Sequence, residues 1–178
     1  YEEPLTKPLT IAMERGRKIA LVGANGIGKT TLLKSVMGLI PPLSGSVTRG
    51  DYLSIGYFEQ EVPGGDNTCI EEIWKEFPAL GQGEVRAALA KCGLTTKHIE
   101  SKVRVLSGGE QAKVRLCKLI GRPSNFLVLD EPTNHLDADA KAELKRALQA
   151  YRGSVLMVCH EPELQTLCLR PRPIFPRC

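Results

Sequence analysis

Apolar residues along the chain fall into short continuous runs separated by segments with helical spacing. The run Lys18-Ile19-Ala20-Leu21-Val22 stops at Gly23, and after a glycine-rich gap Lys29, Thr30, Thr31, Leu32 and Leu33 read as a helix. That order is strand, loop, helix. Residues 53–58 alternate moderately after the turn-rich Pro41-Pro42-Leu43-Ser44-Gly45 and predict a second strand, which ends near Glu59-Gln60-Glu61.

From about 69 to 121 the spacing is helical. Ile70, Ile73, Trp74 and Phe77 share one face, and Val85, Leu89 and Cys92 share another before Gly93, which predicts a small helical insertion. Ser107 followed by Glu110 has the form of a capping box and predicts a helix from about Ser107 through Ile120. Residues 126–129 are an apolar strand ending in Asp130-Glu131. Asp137 then caps a helix that turns Ala140, Leu144, Leu148 and Tyr151 inward, and residues 154–159 form a last strand before His160. Strands that alternate with helices, each ending where a polar motif begins, predict an α/β fold: a mainly parallel sheet with an inserted helical subdomain and its chemistry at the carboxyl edge.

Composition narrows this picture. A chain of 178 residues, 42% hydrophobic, can bury one ordinary core. No apolar run approaches the roughly 20 residues that cross a bilayer, so no membrane insertion is expected and a cytoplasmic location is. Cys69, Cys92, Cys117, Cys159, Cys168 and Cys178 form no CxxC pair, which points to reduced, mostly buried thiols. The net charge of +4 suggests a nucleic-acid partner, but Arg170, Arg172 and Arg177 lie in a stretch without acids from Leu169 onward. Setting those three aside leaves 21 basic against 20 acidic residues, and the remainder carries no basic signal for a phosphate backbone.

The chemistry sits at the strand ends. Gly23-Ala24-Asn25-Gly26-Ile27-Gly28-Lys29-Thr30 fits the phosphate-loop pattern, in which Gly23, Gly26 and Gly28 let backbone N–H groups close around phosphate at a helix N-terminus. Lys29 would neutralise the β- and γ-phosphates of ATP, and the Thr30 hydroxyl, followed by Thr31, would meet Mg2+. Asp130 and Glu131 are the natural complement. Asp130 would hold the metal through water, and Glu131 would polarise the attacking water as general base.

At Leu106-Ser107-Gly108-Gly109-Glu110-Gln111 the sequence resembles the signature motif of ATP-binding cassette proteins, P-loop NTPases whose inserted helical subdomain carries that motif. An ordinary capping box would satisfy the same residues locally. The resemblance implies that Ser107, Gly108 and Gly109 form a second anion-binding helix end, which meets the γ-phosphate held by an opposing protomer. It further implies that Gln60 senses the metal and the attacking water, and that His160 is the switch histidine contacting the γ-phosphate. Asp137 would lie in a loop crossing a dimer interface as well as capping its helix, and Tyr1 would stack on adenine. Taken alone, Gln60 is equally a polar strand end and His160 a lone histidine after a strand.

Asp130-Glu-Pro-Thr-Asn-His-Leu-Asp137 is more specific, because asparagine-histidine before leucine-aspartate resembles the ABC-F group of twin-cassette proteins that act on ribosomes. The 46 positions from Gln60 to Leu106 have no room for the arm that interrupts the first cassette of that group, so the chain resembles the second cassette, incomplete at both ends. The implied organisation is a cassette over 1–163, with its helical subdomain at about 66–121. A basic, Pro-rich segment over 164–178 reads as disordered or as the product of a shifted frame. The implied function is Mg-ATP hydrolysis at a head-to-tail dimer, with a missing first cassette or a second copy as partner. Contact with the ribosome or its RNA would run through absent elements, in translation or antibiotic resistance. The alternatives are a nucleotide-binding subunit of a transporter, or an inert fragment.

Overall fold

The computed structural model describes residues 10–58 and 64–168, and the expectations for Tyr1, Gln60 and the segment 169–178 lie outside the described residues. Within these residues the chain divides into two compact units. One comprises residues up to 57, 123–132 and from 152 onward; the other comprises 58–122 and 133–151.

The first unit is built on a sheet of β1 (Lys18–Leu21), β2 (Ile55–Phe58), β3 (Phe126–Asp130) and β4 (Ser154–Val158), in the order β1-β4-β3-β2. β4 pairs in parallel with β1 on one side and with β3 on the other, and the registers align Leu21, Val158 and Asp130 in one row. β3 and β4 are buried at every position, as expected of central parallel strands covered on both faces. Their side chains Phe126, Val128, Leu156 and Val158 form a core with Leu21 and Leu33. Leu33 comes from α1 (Lys29–Met37), which is closed at its end by Gly38 at φ 78°, donating to the carbonyls of Lys34 and Ser35.

The second strand starts two residues later than its alternation suggests, because the segment before it is fixed sideways by Asn125. The Asn125 side chain donates to the Tyr52 carbonyl at 2.8 Å and accepts from the Ser54 N–H at 2.9 Å. This grip holds Tyr52 at φ 61°, a left-handed conformation outside any strand.

The second unit is helical: α2 (Cys69–Glu76), α3 (Gln82–Lys91), α4 (Thr96–Glu100), a 3-10 turn (Val103–Val105), α5 (Gly108–Gly121) and α6 (Ala138–Ala150). Its interior holds Ile70 and Ile73 of α2, Val85 and Leu89 of α3, Ala112, Val114, Leu116 and Cys117 of α5, and Leu144 and Leu148 of α6. The face expected of α6 is buried at Ala140, Leu144 and Leu148. Tyr151 is only half-buried, since it is the C-cap and its ψ of 123° has already left the helix.

Capping boxes with a side-chain acceptor set three helix starts in this unit, Thr68 before α2, Thr95 with His98 before α4, and Ser107 before α5. Thr68 accepts from the Glu71 N–H while Glu71 accepts from the Thr68 N–H at 2.7 Å, and Ser107 and Glu110 repeat the arrangement at the start of α5. Each such cap contributes about 1 kcal/mol. α4 and the 3-10 turn have no clear periodic signal, being too short for one. They are fixed by Ile99 and Val103, which are buried, and by a bridge between Thr68 and Lys102.

The segment past residue 161 continues the first unit as α7 (Pro162–Gln165), with Leu164 and Cys168 buried, so ordered packing extends beyond residue 163. The five described cysteines are buried and form no disulfide with one another. No helix among the described residues is long and apolar enough to cross a membrane.

Candidate functional site

Three polar segments leave the same edge of the sheet in the first unit, because the parallel registers bring the ends of β1, β4 and β3 level. The segment after β1 is the glycine-rich loop. Gly26 at φ 81° and Gly28 at φ 86° adopt backbone conformations that other residues resist, and the loop coils directly into α1. Lys29 is 5% exposed, and its ammonium donates to the carbonyls of Gly23 at 2.8 Å and Ala24 at 2.7 Å, cinching the loop from within. Gly28 is the N-cap and offers no side-chain acceptor, and the first turn of α1 carries no acid. The positive end of the helix is thus left to an external anion.

Asp130 closes β3 beside this loop. It is 1% exposed, and neither carboxylate oxygen has a hydrogen-bond partner. Burial pushes its carboxyl above the usual range, and the neighbouring Glu131 charge adds to the push. The nearby Thr30 hydroxyl, Lys34 and Lys29 pull it back down, Thr30 doing so by proximity without completing hydrogen-bond geometry. A buried carboxylate with nothing to bond is costly unless a ligand supplies the partner, and a hard cation fits that role. No group of three His, Cys, Asp or Glu side chains that could hold a metal exists among the described residues. Thr30 and Asp130 could hold a hard cation such as Mg2+ carried in with phosphate, an ion that takes few protein ligands and keeps waters.

Glu131 follows at φ 46°, a left-handed conformation that a non-glycine residue holds only when its surroundings impose it. The tie is its own N–H, which donates to the Val158 carbonyl at 3.0 Å. Its Oε1 lies 3.6 Å from Nε2 of His160, too far for a hydrogen bond yet near enough for both to meet one small polar group. Asn25 and Thr31 are exposed on the loop and first helical turn.

The second unit holds the other motif. Ser107 is the N-cap of α5; its Oγ accepts from the Glu110 N–H at 3.3 Å, and Glu110 accepts from the Ser107 N–H at 2.8 Å. The box uses the donors of residues 107 and 110 and leaves the amides of Gly108 and Gly109 outside it. A Cβ on Gly109 would stand 2.6 Å from the His135 carbonyl oxygen, so only glycine allows the loop 133–137 to lie this close to α5. His135 is itself at φ 65°. Asp137 caps α6 by accepting from the Ala140 N–H at 3.0 Å.

Sequence reasoning passed over Lys113 and His98. The Lys113 ammonium donates to Asp137 at 2.6 Å, which holds the Asp137 carboxyl below its ordinary range with help from the Ala140 N–H. His98 Nε2 lies 3.2 Å from Glu110, the residue that completes the Ser107 cap. Lys113 had a readable signal, a charge among the buried positions Ala112, Val114 and Leu116, which demands a partner. His98 had none.

A strand, a glycine-rich phosphate loop, a helix and an acidic strand end at one edge of a parallel sheet define a P-loop nucleotide-binding protein. Residues 6–134 match the profile of the family described as ABC transporter, and the chain belongs to that family, as an ATP-binding cassette. It is 70% identical over 164 residues to the uncharacterized ABC transporter ATP-binding protein YfmM of Bacillus subtilis, covering 92% of this chain and 32% of that protein. It is 40% identical to ABC transporter F family member 2 of Arabidopsis thaliana, covering 90% of this chain and 24% of that protein. The chain thus spans about a third or less of these relatives, and its relatives include members of the ABC-F group. Among solved structures, the complex of archaeal ribosomal stalk protein aP1 with archaeal ribosome recycling factor aABCE1 aligns with a TM-score of 0.72 at 25% identity, covering 86% of this chain and 31% of that one.

Proposed function

We propose that this cassette binds Mg-ATP and hydrolyses it within a head-to-tail pair of cassettes, as part of an ABC-F protein that acts on the ribosome. The observation that carries the nucleotide reading is the Asp130 carboxylate, buried without a partner beside a loop already closed on its own lysine. The ribosomal part rests on the ABC-F relatives and on the likeness to a ribosome recycling factor.

In this reading Gly23, Asn25, Gly26, Gly28 and Thr31 wrap the phosphates with backbone and hydroxyl groups, while Lys29 sets its charge against them. Thr30 and Asp130 hold Mg2+, which when bound neutralises charge building on the phosphate oxygens. Glu131 takes a proton from the attacking water at its carboxylate, and His160 fixes the oxygen of the group being transferred. Ser107, Gly108 and Gly109 of one protomer complete the site of the other, with Asp137 at the crossing. Gln60 and Tyr1 keep the roles that their motifs suggest. Because each protomer holds half of each site, turnover depends on protein concentration or on a supplied partner cassette.

The test is co-sedimentation of Glu131→Gln protein with ribosomes in ATP and in ADP, with Lys29→Ala as control. Pelleting in ATP alone, abolished by Lys29→Ala, is the expected result. Absence of pelleting despite tight binding of a fluorescent ATP analogue would remove the ribosomal part and leave the nucleotide reading. No affinity at millimolar nucleotide would remove both.

A further inference from the structure

Lys113 is a buried cation that the nucleotide chemistry above does not use. It lies in α5 between the buried residues Ala112 and Val114 and is 8% exposed. Its ammonium makes two contacts: it donates to the Gly93 carbonyl at 3.0 Å, just past the end of α3, and to Asp137 Oδ2 at 2.6 Å. The other Asp137 oxygen, Oδ1, accepts from the Ala140 N–H. Gly93 sits at φ 84°, a left-handed conformation that favours glycine, and a Cβ there would stand 3.1 Å from the Lys113 nitrogen.

Lys113 and Gly109 are four residues apart in one helix and so share a face. The loop 133–137 therefore meets that face of α5 twice, at the His135 carbonyl over Gly109 and at Asp137 on Lys113. At the first of these contacts, His135 keeps a left-handed backbone that a non-glycine residue adopts only under restraint. The Leu136 N–H donates to the Thr133 carbonyl at 3.1 Å and closes the turn.

We propose that Lys113 is a positioning residue: by holding Asp137 it fixes the 133–137 loop to the face of α5 that presents Gly109, so that the loop and the signature helix end move as one body. This rests on the proposed function, in which Asp137 and Ser107-Gly108-Gly109 both face the opposing protomer. Without the ammonium, Asp137 still caps α6 but is no longer tied to α5. The two elements then approach a partner independently, and closing both at once costs more ordering.

The test compares Lys113→Met, which keeps the length and removes the charge, with Lys113→Arg, which keeps the charge, in the full chain. The first readout is amide hydrogen exchange without nucleotide. Exchange across residues 135–140 is expected to accelerate about tenfold or more in Lys113→Met, to recover at least in part in Lys113→Arg, and to stay unchanged in α2. The second is turnover at saturating protein, expected to fall about tenfold in Lys113→Met while affinity for the fluorescent ATP analogue stays within about twofold. Unchanged exchange across 135–140 overturns the proposal. Acceleration throughout the helical unit in both variants also overturns it, since that reports a general loss of packing. Local acceleration with unchanged turnover removes the link to catalysis. If the unsubstituted protein shows no turnover, the functional reading fails, and the exchange result still decides whether Lys113 positions the loop.

Discussion

The carbonyl oxygen of His135 occupies the space where a side chain on Gly109 would begin, 2.6 Å from the position of a Cβ. Gly108, one residue earlier, would meet nothing within 4 Å. Two adjacent glycines of one motif therefore have different physical reasons. Gly109→Ala must move backbone and is expected to destabilise the protein by about 1–3 kcal/mol. Gly108→Ala is expected to stay within about 0.5 kcal/mol. Urea unfolding of both variants checks the contrast, and equal losses would contradict the close approach.

Glu131 combines a proposed catalytic role with a backbone conformation that costs stability. Glu131→Gln keeps the strain and removes the base; it is expected to slow ATP turnover by at least about a hundredfold and to accumulate an ATP-bound dimer, visible by size-exclusion chromatography. Glu131→Gly relieves the strain, and is expected to raise stability by about 1 kcal/mol while abolishing turnover. A thermal midpoint for Glu131→Gly below that of the unsubstituted protein would show that the left-handed geometry carries no strain.

Asp130 makes the nucleotide-free protein sensitive to pH in an unusual direction. Its carboxyl is raised in the folded state by burial, so between the ordinary value of 3.8 and its raised value the folded protein holds a proton that the unfolded chain has released. Stability then falls as pH rises through that window, opposite to the behaviour of a salt-bridged aspartate. Asp130→Asn is expected to flatten this slope and to raise stability at neutral pH by about 1 kcal/mol without nucleotide, while weakening the stabilisation that Mg-ATP gives. Thermal unfolding between pH 4 and 7 tests this, and an unaltered slope would mean that ligand-free Asp130 is already satisfied.

Cys69 and Cys168 are expected to be inert in the folded state. Cys69 is buried, donates to the His98 carbonyl at 3.2 Å and has its thiol pushed up to about 11 by burial. Cys168 is likewise pushed up to about 11 by burial. Treatment with iodoacetamide at pH 7.5 is expected to leave both unmodified in the native protein and to label both in urea, as read by peptide mass mapping. Native labelling of Cys69 would indicate that α2 opens locally.

The strands and long helices were legible because their signals are local and repeated. β3 and β4 are unbroken apolar runs, and α5 announces its start through a serine and glutamate three apart. The position of Asp130, Glu131 and His160 at strand ends followed from the same runs. What was not legible depends on pairings distant in sequence. Asn125 shortens β2 by gripping residues 71 and 73 positions away, and Lys113 finds Asp137 across 24 residues. The left-handed backbone at Glu131 leaves no trace in side-chain pattern, since glutamate does not favour it.

The order β1-β4-β3-β2 also bears on how the protein is made. Among the described residues β1, which leads into the phosphate loop, pairs with no strand near it in sequence; its neighbour is β4, with Lys18 opposite Val155. Closing a loop of that span is slow compared with forming helices, and it cannot begin until the distant strand exists. During synthesis from the N-terminus, β1 precedes β4 and has no described partner strand until residue 158 has left the ribosome. The phosphate loop is thus translated well before the strand that anchors it, and a nascent chain halted before β4 is a candidate for chaperone capture rather than for ATP.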